Sequence, residues 1–557
     1  MLEALRHGID RARLFAGALR STKVVQPVSP ANLLAFAWAA SRVPFGPHLS
    51  VMFYAQTHPD REAVVEYDGS GGCVRRMTWA ELDAAINRLG NALVARGASG
   101  GRRIAVMLPN GSEYLIAQLA LDRIGATAVQ IGYHLKAGEI AYILSNAEPA
   151  ATIVHADQLV AMTDARARAA SAAGPMIVVG AAADPTARGG DVVAWERALA
   201  AASPGRPSRR GGLGGRGGVL VYTSGTTGRS KGALRTWTST GYEPVADLML
   251  QVGVRSDDRH LVVCPLYHSA APGFILMMMA LGATVILMNQ FDAALALDII
   301  ERERVTCTLM VPTMIVRLAN LPAATSAPSL RWVMSVAATL TTDAARRFME
   351  RFGPILWNFY GATETGLVTL AGPGDHLTRP GTIGRALRGN DIRLLDSAGR
   401  DVPDGQVGEL YVRNSMLIAG YHKNPDAMQS ALRDGLFSVG DLARRAGDGH
   451  YYLVSRKHDL VISGGVNIYP REIEDHLCTH PAILDAAVIG DPDPEWGESL
   501  HAYIVLREGH ALSEQGVIEH CRAALADFKR PRKVTFVAEL PRNPTGKLLV
   551  SALRARP

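Results

Sequence analysis

Val219-Leu-Val-Tyr-Thr-Ser-Gly-Thr-Thr-Gly-Arg-Ser-Lys-Gly232 is a short apolar run that breaks into hydroxyls, glycines and one lysine. The apolar part predicts a buried strand, and the remainder predicts a phosphate-binding loop. Gly225, Gly228 and Gly232 let backbone N–H groups approach an anion closely, and Thr223, Ser224, Thr226 and Thr227 add hydroxyl donors. Lys231 adds a positive charge, so the loop suits the triphosphate of a nucleotide. A Walker-type loop needs glycine immediately before its lysine and Ser or Thr after it. Here Ser230 precedes Lys231 and Gly232 follows, which excludes that reading.

Around this loop the chain reads as an α/β protein. Thr78-Trp-Ala-Glu81 is a capping box, and Leu82, Ile86, Leu89 and Leu93 recur at helical spacing, which predicts a helix over 79–96. Strands are predicted at 103–108 and 126–131, with helices at 112–124 and 137–146. This alternation implies a parallel sheet with helices on its faces. The segment from Ser203 to Gly218, rich in Gly, Arg and Pro, reads as a connector; no aromatic residues interleave its arginines, so nucleic-acid binding is not expected.

At 557 residues the chain is expected to hold more than one domain, and 48% hydrophobic with 20% charged residues is a globular composition. The net charge of +6 is compatible with anionic ligands or an anionic membrane surface. Five dispersed cysteines without a CxxC pair argue against a disulfide framework or zinc site and favour a reducing cytoplasm. Residues 1–47 read as an extension ahead of the core. Its first 23 residues set Leu2, Leu5, Ile9, Phe15 and Leu19 among Arg6, Arg11, Arg13, Arg20 and Lys23. Such a basic helix could touch the inner face of a membrane weakly, or dock on the domain by its apolar side. Asn32 to Ala40 is apolar but too short to span a bilayer.

The segment Tyr222 to Gly232 resembles the phosphate loop of the adenylate-forming (AMP-binding) superfamily, which includes acyl-CoA synthetases, luciferases and nonribosomal adenylation domains. Further motifs follow in the family's order, so the resemblance spans roughly residues 50 to 550. It implies a large α/β domain with parallel-rich sheets and flanking helices over 48–455, and a small mobile α+β domain over 456–557 carrying a catalytic lysine. Within the small domain, a helix at 471–478 and strands at 484–489 and 501–506 are predicted.

The same resemblance implies the site residues. Ser335-Val-Ala-Ala-Thr-Leu340 is similar to the adenine-side loop, with Ala337, Ala338 and Thr339 near the base, although Val336 and Thr339 stand where the family has glycine and often proline. Asn358-Phe-Tyr-Gly-Ala-Thr-Glu-Thr-Gly366 supplies Asn358, Phe359, Tyr360, Gly361, Ala362 and Thr363 to the nucleotide, with Tyr360 expected to stack on adenine. Glu364, with Thr227, is expected to hold Mg²⁺, a hard cation that prefers oxygen ligands. Asp441 is the expected acceptor for the ribose hydroxyls, and Arg456 the expected approach to the nucleotide. His458 stands at the hinge, where relatives have Asp or Lys. Ser463, Gly464 and Gly465 are expected to meet the pantetheine of CoA, and Lys547 to enter the site for adenylation; the chain's end soon after it predicts no fused carrier domain.

In the acyl-binding motif Leu261 to Gly273, relatives that activate amino acids carry an aspartate for the ammonium group. Here the positions read Tyr267-His268-Ser269, with His268 a candidate catalytic group, and the small residues and methionines that follow, on a helix predicted from Phe274 to Leu281, suggest a roomy apolar pocket. The expected activity is therefore ATP-dependent acyl-CoA synthesis from a medium- to long-chain fatty acid, with ATP, Mg²⁺ and coenzyme A. The alternatives are an acyl-AMP ligase loading a separate carrier protein, a CoA ligase for another apolar carboxylate, a luciferase-like oxidase and a non-enzymatic lipid binder.

Overall fold

The computed structural model describes residues 2–24, 28–98, 100–169, 174–180, 192–207, 217–223, 230–237, 242–322, 327–463, 466–543 and 547–554, apart from the side chains of 2–9 and 551. The predicted phosphate loop from Ser224 to Gly228, most of the connector before it, and Gly464 and Gly465 lie outside the described residues.

The strand that feeds the phosphate loop, Gly218–Thr223, sits inside an eight-stranded sheet. It runs parallel to Thr127–Gln130, with Val221 opposite Gln130, and antiparallel to Lys231–Arg235, with Thr223 opposite Lys231. Both faces of this strand are covered. Val219 and Val221 join one hydrophobic cluster while Leu220 between them joins another, the period-two alternation of a strand buried on both sides. The first cluster continues into a nine-stranded sheet whose central strands are parallel, so one core bridges the two large sheets. Two five-stranded sheets complete the molecule: one within Asp391–Arg456, the other within Val461–Phe536.

Predicted and observed elements agree where periodicity is strong. The helix Trp79–Ala95 opens with the capping box, Glu81 N–H donating to Thr78 Oγ1 (3.2 Å) and Thr78 N–H to Glu81 Oε2 (2.8 Å). The strands Arg103–Met107 and Thr127–Gln130 and the helices Ser112–Arg123 and Ala137–Ala147 stand where expected. Three elements are clearly longer than predicted, among them the strand expected at 501–506, which runs from Gly497 to Leu506. The methionine-rich helix begins at Ala270, with Pro272 in its first turn, where the missing N–H breaks no helical bond. The strand Ile483–Asp493 extends beyond its apolar stretch, because its ladder with Gly497–Leu506 continues through polar residues to Asp493. The segment after residue 458 has its own core, built on Ile473, Leu477, Val488, Ile504 and Val517.

The N-terminal helix, Leu2–Ser21, docks by its apolar side. Leu14 and Ala18 are buried against Ala246, with Phe15 and Leu250 packed beside them. Arg11 pairs with Glu243 at 2.8 Å, and Ser256 N–H donates to the Thr22 carbonyl. Leu14 and Ala18 are thus committed to protein, while Leu19 is 51% exposed. The next helix, Pro30–Ala40, has an exposed apolar side: Leu34 is 73% and Trp38 60% exposed. No described helix is long and apolar enough to cross a membrane.

One buried charge braces the helix Ser112–Arg123. The Arg123 side chain is fully buried, pairs with Asp83 at 2.8 Å and donates to Asn87 Oδ1 at 2.7 Å. Removing the partner of a buried ion costs about 3–5 kcal/mol, more than replacing both members by apolar groups. Asp83→Ala should therefore lower stability in urea unfolding by about 3 kcal/mol, and Asp83→Leu with Arg123→Met by less. A double variant less stable than the single one would contradict this account.

Candidate active site

The residues singled out in the sequence converge on one cavity of about 1990 Å³. Thr223, Lys231, Ala337, Ala338, Thr339, Asn358, Phe359, Tyr360, Gly361, Ala362, Thr363, Glu364, Asp441, Arg456, His458, Lys547 and His268 all line it. Ser463 does not; it belongs to the strand Val461–Ser463 of the C-terminal sheet. Ser224, Gly225, Thr226, Thr227 and Gly228 of the loop, with Gly464 and Gly465, are the remaining candidates and lie outside the described residues.

Glu364 sits in the hairpin joining the strands Leu356–Ala362 and Gly366–Ala371. Gly361 is needed there, since a Cβ would fall 2.0 Å from the Gly366 carbonyl oxygen. Glu364 is 7% exposed, and its Oε1 accepts from the hydroxyls of Thr223 and Tyr421, each at 3.1 Å. These two bonds orient the carboxylate and leave the lone pairs of Oε2 uncommitted by them. Arg235 supports the turn from behind, donating to the Thr363 carbonyl (2.7 Å) and the Met416 carbonyl (2.6 Å). The hydroxyls of Thr363 and Ser269 bond at 2.9 Å, linking this turn to the acyl-binding motif.

On the nucleoside side, antiparallel pairing sets Asp441 opposite Arg456. Arg456 Nε lies 3.3 Å from Asp441 Oδ1, and Tyr360 donates to Oδ2 at 2.7 Å. Burial and the neighbouring Asp441 keep the Tyr360 phenol protonated. A carboxylate offers about four lone-pair directions, so Asp441 can accept further donors beside these two. Ala337 has φ +69°, a left-handed conformation that costs a non-glycine residue about 1–2 kcal/mol. Val336, the position the sequence comparison singled out, is simply buried.

At the acyl end, Phe359 stacks on Phe274 (5.6 Å between centroids), so this side chain packs on the methionine-rich helix. Burial pulls the His268 imidazole down to about 4, and its Nε2 has no hydrogen-bond partner among the described residues. Burial thus favours the neutral imidazole at this position. Lys547 is held by Asn543, whose Oδ1 accepts from its backbone N–H at 2.9 Å. Burial and the Arg456 guanidinium lower its amine below the ordinary lysine value, while Asp459, Asp441 and Glu364 oppose that shift.

Two supporting residues were missed by sequence reasoning. Tyr421 reaches Glu364 only because Gly420–Tyr421 pairs with the strand Lys231–Arg235, and Lys231 Nζ lies 5.4 Å from its ring centre. Arg235 sits at the end of that same strand. Neither stands in a pattern of its own; only the long-range pairing reveals them.

A large cavity lined by residues from both large sheets and from the C-terminal segment agrees with comparison to known proteins. The family model for AMP-binding enzymes matches residues 53–422, and that for the AMP-binding enzyme C-terminal domain matches 472–547. The chain belongs to the AMP-binding enzyme family. Within it, the chain falls in the CoA-ligase branch and is an AMP-forming acid–thiol ligase. It is 35% identical to a feruloyl-CoA synthase of Amycolatopsis sp, over 86% of this chain and 94% of that one. It is 32% identical to a long-chain-fatty-acid–CoA ligase of Mycobacterium tuberculosis, over 86% and 93%. Its fold matches ATP-bound MatB of Rhodopseudomonas palustris with a TM-score of 0.77 and 29% identity, over 92% and 98%. An anthranilate CoA ligase in complex with anthranoyl-AMP matches with 0.81 and 25%, over 92% and 97%.

Glu364→Gln keeps the shape of the side chain and removes its charge, so carboxylate-dependent pyrophosphate release should fall by about 10²-fold or more. Tyr421→Phe removes one orienting bond and should cost less, about tenfold, because net hydrogen bonds to charged groups contribute about 1.5–3 kcal/mol. Equal rates for wild type and Glu364→Gln at saturating MgATP would contradict the role given to this carboxylate.

Proposed function

We propose that the protein converts a carboxylic acid with an apolar body, a medium- to long-chain fatty acid in the first instance, to its CoA thioester through an acyl-adenylate. The observation that carries this reading is that Lys547, Glu364 and Asp441 line the same cavity as Phe274, Met277 and Leu281 of the methionine-rich helix. A carboxylate oxygen attacks the α-phosphorus of ATP and pyrophosphate leaves; the CoA thiolate then attacks the acyl carbon and AMP leaves. Neither step needs a protein nucleophile. The protein's contribution is positioning and electrostatic stabilisation.

Glu364 is suited to Mg²⁺, which takes one or two carboxylates together with substrate phosphates. The ion, when bound, offsets charge between the phosphates; Thr227 is the second candidate for holding it. Asp441 accepts ribose hydroxyls, and Tyr360 lies against the base. Ser463 stands outside the cavity, so its meeting with CoA, together with Gly464 and Gly465, calls for rotation of the 456–557 unit about His458. Free CoA rather than a carrier protein is the acceptor, as in the CoA ligases it resembles. A cytoplasmic location fits the supply of ATP and CoA. Weak contact with anionic membranes, where it occurs, falls to Leu33, Leu34 and Trp38 of the second helix.

An aromatic acid is the competing substrate, favoured by the similarity to the feruloyl-CoA synthase. Each buried methylene contributes about 0.8 kcal/mol, so kcat/KM for straight-chain acids should rise with length until the pocket ends. A higher kcat/KM for ferulate or acetate than for every acid from octanoate to palmitate would overturn the fatty-acid reading.

Lys547 separates the half-reactions. Its charge matters while negative charge builds at the α-phosphate, so Lys547→Ala should lower adenylation by about 10²-fold or more and leave acyl-CoA formation from supplied acyl-AMP near normal. The lowered amine value adds a pH test. The protonated amine is present at low pH and lost as pH rises, so adenylation should decline at a pH below that of an ordinary lysine. Equal loss of both half-reactions in a folded variant would refute the alternation.

A further inference from the structure

The cavity reaches residues that the family match does not include. That match begins at residue 53, yet Phe15, Ala18, Leu19 and Thr22 of the N-terminal segment line the same cavity as Lys547. Ala246 of the helix Glu243–Val252 packs with Phe15 and Ala18, while Leu19 is 51% exposed; Met249 of that helix, with Met277 and Leu281 of the methionine-rich helix, adds further apolar lining to the same cavity.

The N-terminal helix is fixed there at several points along its length. Arg11 pairs with Glu243, Leu14 and Ala18 bury against Ala246, and beyond the helix Thr22 is 1% exposed with its carbonyl accepting from Ser256 N–H. Ser256 Oγ also donates to the Lys23 carbonyl at 3.0 Å. A helix held in this way gives the cavity a defined wall. On the cavity side that wall is mostly hydrocarbon, which suits an alkyl tail and offers no partner to a charged or strongly polar group.

We infer that the N-terminal helix forms the distal wall of the acyl site, with Phe15, Ala18 and Leu19 setting the longest acid accepted. This inference rests on the apolar-acid reading above. It assigns chain-length selection to a segment in front of the family's core, so relatives with a similar core and a different leading segment need not share this enzyme's preference.

The test is a panel of straight-chain acids from hexanoate to palmitate, assayed as kcat/KM with the full-length protein. Ala18→Phe should fill the far end, lowering kcat/KM for the longest acids at least tenfold while hexanoate stays within twofold. Phe15→Ala should open it and move the optimum upward by two carbons or more. Unchanged hexanoate turnover reports that each variant is folded and competent in both half-reactions. Should Ala18→Phe undock the helix, Phe15→Ala alone decides, since it removes atoms rather than adding them. If the wild-type profile rises with chain length and neither variant alters its shape, the distal wall lies elsewhere and the inference fails while the apolar-acid reading stands. If wild type shows no rise with length and favours an aromatic acid, the apolar-acid reading fails and takes this inference with it.

Discussion

The Glu364 carboxylate, bonded by the hydroxyls of Thr223 and Tyr421, is the contact on which the site depends. Glu364 belongs to a hairpin of the nine-stranded sheet, Thr223 ends a strand of the eight-stranded sheet, and Tyr421 pairs onto that same sheet. Three distant parts of the chain therefore meet at one negative charge. A nearly buried carboxylate is costly without donors, so these hydroxyls stabilise it and fix its direction together. The acid is set beside the strand from which the phosphate loop departs, where a divalent cation can join it to phosphate oxygens.

The rest of the cavity divides by polarity. Asp441, Arg456 and Tyr360 form a bonded polar cluster, whereas Phe274, Met277 and Ala246 add apolar lining to the same cavity. His268 lies on the wall of the same cavity as a neutral imidazole, since burial opposes its protonation. Lys547, from the C-terminal unit, adds a positive charge opposite the carboxylates Glu364 and Asp441. Charged groups and hydrocarbon thus line different parts of one cavity.

Much of the fold was legible because its signals are local. The Thr78 to Glu81 capping box, the apolar period after it and the strand–helix alternation all act within a few residues, and the structure follows them. Most of the run Asn358 to Gly366, singled out in the sequence as a unit, lines the cavity together because it forms one strand and its hairpin turn. Tyr421 and Arg235 were not legible, because their roles arise from pairing between strands almost 190 residues apart, Tyr421 with Ala233 and Gly420 with Leu234. The N-terminal helix was read as either docked or membrane-facing, since its sequence shows an apolar side without showing what covers it. In the structure Leu14, Phe15 and Ala18 pack with Ala246 and Leu250.

The central claim is that an oxygen of the substrate carboxylate attacks the α-phosphorus of ATP. Turnover of an ¹⁸O-labelled carboxylic acid with ATP and CoA, followed by mass spectrometry of the products, tests it most directly. The account predicts one ¹⁸O atom in AMP, none in pyrophosphate, and the remaining label in the acyl-CoA carbonyl. Label in pyrophosphate or orthophosphate, with unlabelled AMP, would contradict it.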